Sequence, residues 1–187
     1  MKIYTIIGGV NGAGKSSLTG VLANRMNDLG VVVDVDKITK ELGKGAADGA
    51  KAAIKIIDDC LQKGINFTQE TTLSGFRTLN TIKTARNSGY YIRLFYVGLD
   101  NMEESLARIK NRVEKGGHDI PYEDVTRRFN GRCESLRRIL PFCNEAVLFD
   151  NNNGFIQAAE YRNGKIITVE ENPPKWLSQL QEIMPEI

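Results

Sequence analysis

Gly9-Val10-Asn11-Gly12-Ala13-Gly14-Lys15-Ser16 decides how the rest of this chain is read. It fits the pattern G-x-x-x-x-G-K-[ST] without a gap, the Walker A signature of a loop that cradles a nucleoside triphosphate. The chemistry asks for these residue types. Glycines let the backbone wrap closely around a phosphate, so Gly9, Gly12 and Gly14, with Asn11 and Ala13 between them, can turn several N–H groups inward as an anion nest. Lys15 supplies positive charge near the β- and γ-phosphates, and the Ser16 hydroxyl can ligate Mg²⁺. Ser17 follows at the start of a helix whose N-terminal dipole end favours anions. ATP or GTP with Mg²⁺ is therefore the implied ligand set.

The flanks supply the context this loop needs. Residues 3–7 are apolar and largely β-branched, as in a buried strand. Leu18, Val21, Leu22, Arg25, Met26 and Leu29 recur at helical spacing as far as Gly30. Strand-like and helix-like pieces then alternate, which predicts an α/β three-layer sandwich of the P-loop kinase type with a mostly parallel sheet. Further strands are expected at residues 31–35, 65–69, 90–99 and 146–149. Helices are expected at residues 50–62, 76–87, 101–113 and 122–140, with a glycine-rich hinge at 43–49. Asn163-Gly164, between residues 157–161 and 165–169, signals a type I′ hairpin, and a helix opens with the prolines at 173–174. At 187 residues one domain is expected over 1–187, with a core at 1–150 and a hairpin plus helix appended at 155–187.

A net charge of +2 is too small to argue for a nucleic acid or a membrane as partner. No apolar run reaches transmembrane length, and a strand starting at residue 2 leaves no room for a signal peptide. Cys60, Cys133 and Cys143 are odd in number and lack paired spacing, as expected of reduced cysteines in a cytoplasmic protein. His118 is the only histidine, so multi-histidine metal sites are excluded. It reads as a loop hydrogen-bonder.

In a parallel sheet reactive groups gather at the carboxyl ends of strands. Asp36 and Glu70 sit at such ends, and the phosphate loop sits at a third. Asp34 competes with Asp36, although strand alternation would point the two apart. Capping of a short helix at 37–42 is the structural alternative for Asp36. Thr71, Thr72 and Ser74 add hydroxyls beside Glu70. A basic constellation, Arg108, Arg112, Arg127 and Arg128, brackets the loop containing Gly116, Gly117 and Pro121. Phosphoryl transfer needs positive charge around the moving phosphorus, and a helical lid carrying arginines supplies it while excluding water. A solvated basic face is the alternative, and Arg132, Arg137 and Arg138 are assigned to it.

The ordered set resembles the zeta toxin family of P-loop kinases. It comprises the 9–16 loop with Ser17, Val33-Asp34-Val35-Asp36, Glu70-Thr71-Thr72, and Arg112-Val113, Gly116-Gly117-His118 and Arg127-Arg128. The resemblance covers residues 1 to about 150. It implies phosphorylation of a small-molecule hydroxyl, in known members a sugar hydroxyl of UDP-N-acetylglucosamine, often beside a protein antitoxin. Carried over, Asp36 is the base facing the acceptor hydroxyl. Glu70 and Thr72 hold the acceptor. Lys15, Arg112 and Arg128 (or Arg127) act on the phosphates. Toxin members usually place an arginine two residues after the threonine, where this chain has Ser74. That departure implies weaker activity on UDP-N-acetylglucosamine than on a less anionic hydroxyl compound. A nucleoside, nucleotide or polynucleotide kinase, or an ATPase switch acting through a protein partner, are the alternatives. Asp36 separates them, because only a kinase needs an acid at the acceptor.

Overall fold

The computed structural model describes residues 1–117 and 119–184. Seven strands form one sheet in the order β2-β3-β1-β4-β5-β6-β7. They are β1 Lys2–Gly9, β2 Val31–Val33, β3 Phe67–Thr71, β4 Tyr90–Gly98, β5 Glu145–Asp150, β6 Ile156–Arg162 and β7 Lys165–Thr168. The first five run parallel, and β6 and β7 are antiparallel additions at one edge. The helices are α1 Lys15–Ala23, α2 Val35–Leu42, α3 Ala46–Lys63, α4 Phe76–Asn87, α5 Met102–Glu114, α6 Tyr122–Asn130, α7 Arg132–Ile139 and α8 Lys175–Ile183.

Side chains alternate across a strand, so the central β1 feeds two cores. Tyr4 and Ile6 face a larger cluster with α3, α4, α7 and α8, whereas Ile7 faces a smaller one with Leu18 and Leu22 of α1 and Phe129 of α6. This makes the three-layer α/β sandwich, with the sheet in the middle.

Several boundaries move from their sequence positions for identifiable reasons. The first helix stops at Ala23, not near Gly30, and Asn24 closes it. The chain must leave the helix there for Asp28 to pair with the buried Arg93 at 2.8 Å. The second strand stops at Val33, because Asp34 turns to cap α2 and accepts from the Asp36 and Lys37 amides at 2.9 and 3.3 Å. The cap expected as an alternative for Asp36 is thus made by Asp34. The third strand is shifted two residues on, placing Glu70 and Thr71 within β3. The 43–49 hinge is half helix, since α3 begins at Ala46. The helix expected over 122–140 divides at Gly131 into α6 and α7. Arg132 is not on a solvated face: it is buried, 4.1 Å over the Phe129 ring, and donates to Gln179 at 2.9 Å.

The hairpin turn has positive φ at Asn163 and Gly164, 53° and 82°, as a type I′ turn requires. The hairpin is not appended to the sheet but continues it through β6 on β5. Nor does α8 stand apart. Trp176 is fully buried, donates from Nε1 to Asp150 at 3.0 Å, and lies over Gly98, where an added Cβ would come within 2.1 Å of its ring. Truncating such a side chain costs about 3–5 kcal/mol.

Candidate active site

A cleft of about 850 Å³ opens over the carboxyl ends of β1, β2 and β3. It is walled by the phosphate loop, the starts of α1, α2 and α4, the arginines of α5 and α6, and the segment after β5. Asn11, Gly12, Gly14, Lys15, Ser16, Ser17, Asp36, Glu70, Thr71, Thr72, Ser74, Arg108, Arg112 and Arg128 all line it. Gly9 and Ala13 lie on the inner side of the loop; Ala13 is fully buried in the smaller core. Arg127 does not face the cleft. Its side chain is 64% exposed and bonds Asp124 at 2.6 Å. His118 lies outside the described residues.

The loop is held from three sides. The Ser105 hydroxyl of α5 donates to the Asn11 carbonyl at 2.7 Å, and a Cβ on Gly12 would meet the Ser105 carbonyl at 2.6 Å, so only glycine admits this packing. Asn151 donates to the Ala13 carbonyl at 2.7 Å. Arg128 donates to the Asn11 side chain at 3.1 Å. Arg108 bonds the Asn151 carbonyl at 2.6 Å and pairs with Glu104.

Lys15 donates to the Val10 carbonyl at 3.0 Å, across the turn of the loop. Desolvation pushes its ammonium down to about 8, against the pull of the Glu70 and Asp36 carboxylates. Both oxygens of Glu70 are taken: Ser16 donates to one and Thr19 to the other, each at 2.7 Å. Burial raises the Glu70 carboxyl, and these two hydroxyl donors oppose that rise. The resemblance groups Glu70 with the acceptor; the structure sets it against the Ser16 hydroxyl of the phosphate loop and the Thr19 hydroxyl of α1. Asp36 occupies the first turn of α2, about half exposed, with its carboxylate 3.4 Å from the Arg112 guanidinium.

Some residues that line the cleft, or stand behind it as Thr19 does against Glu70, escape a reading of the sequence. Thr19 lies one helical turn beyond Ser16, so i, i+3 spacing could have found it. Asn151 directly follows β5, a strand-end position that could have been flagged. Phe155, beside Gly14, and Arg77 of α4 carry no such signal, because only the docking of their segments brings them into the cleft.

The family described as Zeta toxin matches residues 44–154, more than half of the chain. The chain belongs to the zeta toxin family. A protein of Haemophilus influenzae is 34% identical over 126 residues, covering 65% of this chain and 88% of that one. Among solved structures, the AvrRxo1-ORF1:AvrRxo1-ORF2 complex with sulphate ions matches with a TM-score of 0.72 at 16% identity, over 98% of this chain and 63% of that one. The same complex determined with ATP gives a TM-score of 0.71 at 16% identity, over 98% of this chain and 64% of that one. The PezAT chromosomal toxin–antitoxin system of Streptococcus pneumoniae matches with a TM-score of 0.62 at 16% identity, over 97% of this chain and 85% of that one. The chain therefore spans just under two thirds of the AvrRxo1 chains it matches. Family and fold together support a P-loop kinase or phosphotransferase. No helix among the described residues is long and apolar enough to cross a membrane.

Proposed function

We propose that this protein transfers the γ-phosphoryl group of ATP (or GTP), with Mg²⁺, to a hydroxyl of a small molecule, a nucleotide sugar such as UDP-N-acetylglucosamine being the reference acceptor. One observation carries the reading: Lys15, Ser16, Asp36, Glu70, Arg112 and Arg128 line a single cleft. A switch ATPase needs the phosphate loop but has no use for a half-exposed carboxylate facing it across the cleft.

The residues present suit a nucleoside triphosphate and its metal. The loop turns through positive φ at Gly12 and Gly14, so its N–H groups can converge on phosphate. The buried Nε of Arg128 has no hydrogen-bond partner among the described residues. Ser16, with Glu70 behind it, would hold Mg²⁺, whose bound charge offsets that of the β- and γ-oxygens. Lys15, Arg112 and Arg128 would place positive charge around the transferred group. Asn151 and Phe155 would flank the base end. Asp36 would accept the acceptor's hydroxyl proton on a carboxylate oxygen, while Thr71, Thr72 and Ser74 orient the acceptor. The resting Arg112–Asp36 pair must part for this, and the triphosphate competes for Arg112.

The PezAT toxin–antitoxin system among its structural neighbours supports a protein antitoxin as partner, and three cysteines that are free among the described residues support a cytoplasmic protein. The test is a metabolite-pool incubation with γ-labelled ATP and Mg²⁺, with mass identification of whatever gains label. A labelled small molecule that disappears with Lys15→Ala is the expected result. Free phosphate as the sole labelled product, at a rate set by an added protein partner, would overturn the kinase reading in favour of a switch.

A further inference from the structure

The cations of the cleft are unequally employed. Lys15, Arg108, Arg112 and Arg128 each have a partner on the phosphate loop, on α2 or on their own helix. Arg77 lines the same cleft, yet it makes no hydrogen bond or ion pair among the described residues. Its place is also unfavourable for the isolated helix. It stands in the first turn of α4, which has no acidic residue there and no side-chain cap, so its charge opposes the helix dipole. Its backbone is nevertheless well fixed. The neighbouring Thr78 is buried, and its hydroxyl lies 3.2 Å from that of Thr71 at the end of β3. A hydrogen-bonded hydroxyl pair, Thr72 and Ser74 at 2.8 Å, lines the cleft alongside.

We propose that Arg77 is the acceptor-recognition residue: it binds a phosphate or carboxylate group that the acceptor carries in addition to the hydroxyl that is phosphorylated. This rests on the phosphotransfer reading above and assigns the acceptor's chemical class. It also revises the expectation drawn from Ser74. The acceptor end of the cleft is not short of a cation; the cation comes from α4, three residues further on, and from a helix in place of the strand-end loop. A guanidinium suits the task because its fork can bond two oxygens of one anion.

The test is an equilibrium titration on protein saturated with Mg²⁺ and a non-hydrolysable ATP analogue, so that the phosphate loop is already filled. Inorganic pyrophosphate and succinate are the probes, one for a phosphate-bearing and one for a carboxylate-bearing acceptor. Saturable binding of at least one is expected, weakened about 10- to 100-fold in Arg77→Gln and less in Arg77→Lys, which keeps the charge but loses the fork. Affinity for the ATP analogue should stay within twofold in both variants, which also shows that they fold. Equal probe affinity in Arg77→Gln and wild type, or failure of wild type to bind either probe, would overturn the assignment. The titration needs no turnover, so absence of labelled product in the metabolite-pool assay would sink the kinase reading without deciding this one.

Discussion

The two ends of the cleft are built differently. At the phosphate-loop end nearly every polar group is committed before any ligand arrives: Asn11 is held by Ser105 and Arg128, Ala13 by Asn151, and Glu70 by Ser16 and Thr19. At the other end, where we propose that the acceptor binds, Asp36 is about half exposed with one long ion pair, and Arg77 has no partner among the described residues. A preorganised loop can serve one invariant ligand, a triphosphate, with little reorganisation during reaction. Open valences at the other end leave recognition to whatever acceptor completes them, because a polar site rejects partners that leave it unpaired.

Removing Lys15 should break this contrast most severely. Lys15→Ala is expected to abolish detectable phosphoryl transfer, since charge neutralisation and positioning supply most of this catalysis. The fold should survive, because burial disfavours the ammonium in the free protein. Near wild-type turnover in a folded variant would remove the phosphate loop from the mechanism.

Asp36→Asn tests the other end. Transfer should fall ~10²–10⁴-fold, the usual contribution of a positioned acid–base group. ATP affinity should hold or tighten slightly, because the Arg112 that Asp36 engages is released. Loss of ATP or Mg²⁺ affinity with acceptor affinity intact would move Asp36 to the nucleotide end.

The Lys15 shift gives a smaller, graded effect. Its ammonium titrates near pH 8 in the free protein, whereas bound phosphates would hold it protonated. ATP affinity should therefore be flat below about pH 8 and fall above it, by up to about tenfold per pH unit. Folding stability runs the opposite way. The unfolded lysine binds its proton more tightly, so the burial penalty is fully present below pH 8 and is relieved as pH rises toward 10.5. Isothermal titration from pH 7 to 9 checks the first part; a flat profile would mean that Lys15 stays charged without ligand.

The subtlest test concerns the lid. Hydrogen exchange over residues 111–128 should slow with a non-hydrolysable ATP analogue, as Arg112 and Arg128 engage phosphate. Exchange around Ser105, already bonded to the loop, should change little. Equal exchange over 111–128 in both states would make the arginine face static.

The phosphate-loop end of the cleft was legible from sequence because its signal is local. Eight consecutive residues carry the backbone geometry, the lysine and the hydroxyl, and the strand before and helix after them follow from simple periodicity. The parallel α/β class and the hairpin turn at Asn163-Gly164 were equally local. What the tertiary structure decided lies between segments distant in sequence. Arg93 pairing with Asp28 ends α1 early; Trp176 settling over Gly98 makes the last helix part of the core. Arg128, not Arg127, reaches the loop because α6 turns one toward Asn11 and the other toward solvent. Glu70 stands against Ser16 and Thr19 only because β3 pairs in register beside β1. Arg77 enters the cleft only through the docking of α4 on the end of β3. Propensity and spacing report what a segment prefers on its own; they carry no information on which faces meet, and in this cleft the meeting of faces determines which charges line its walls.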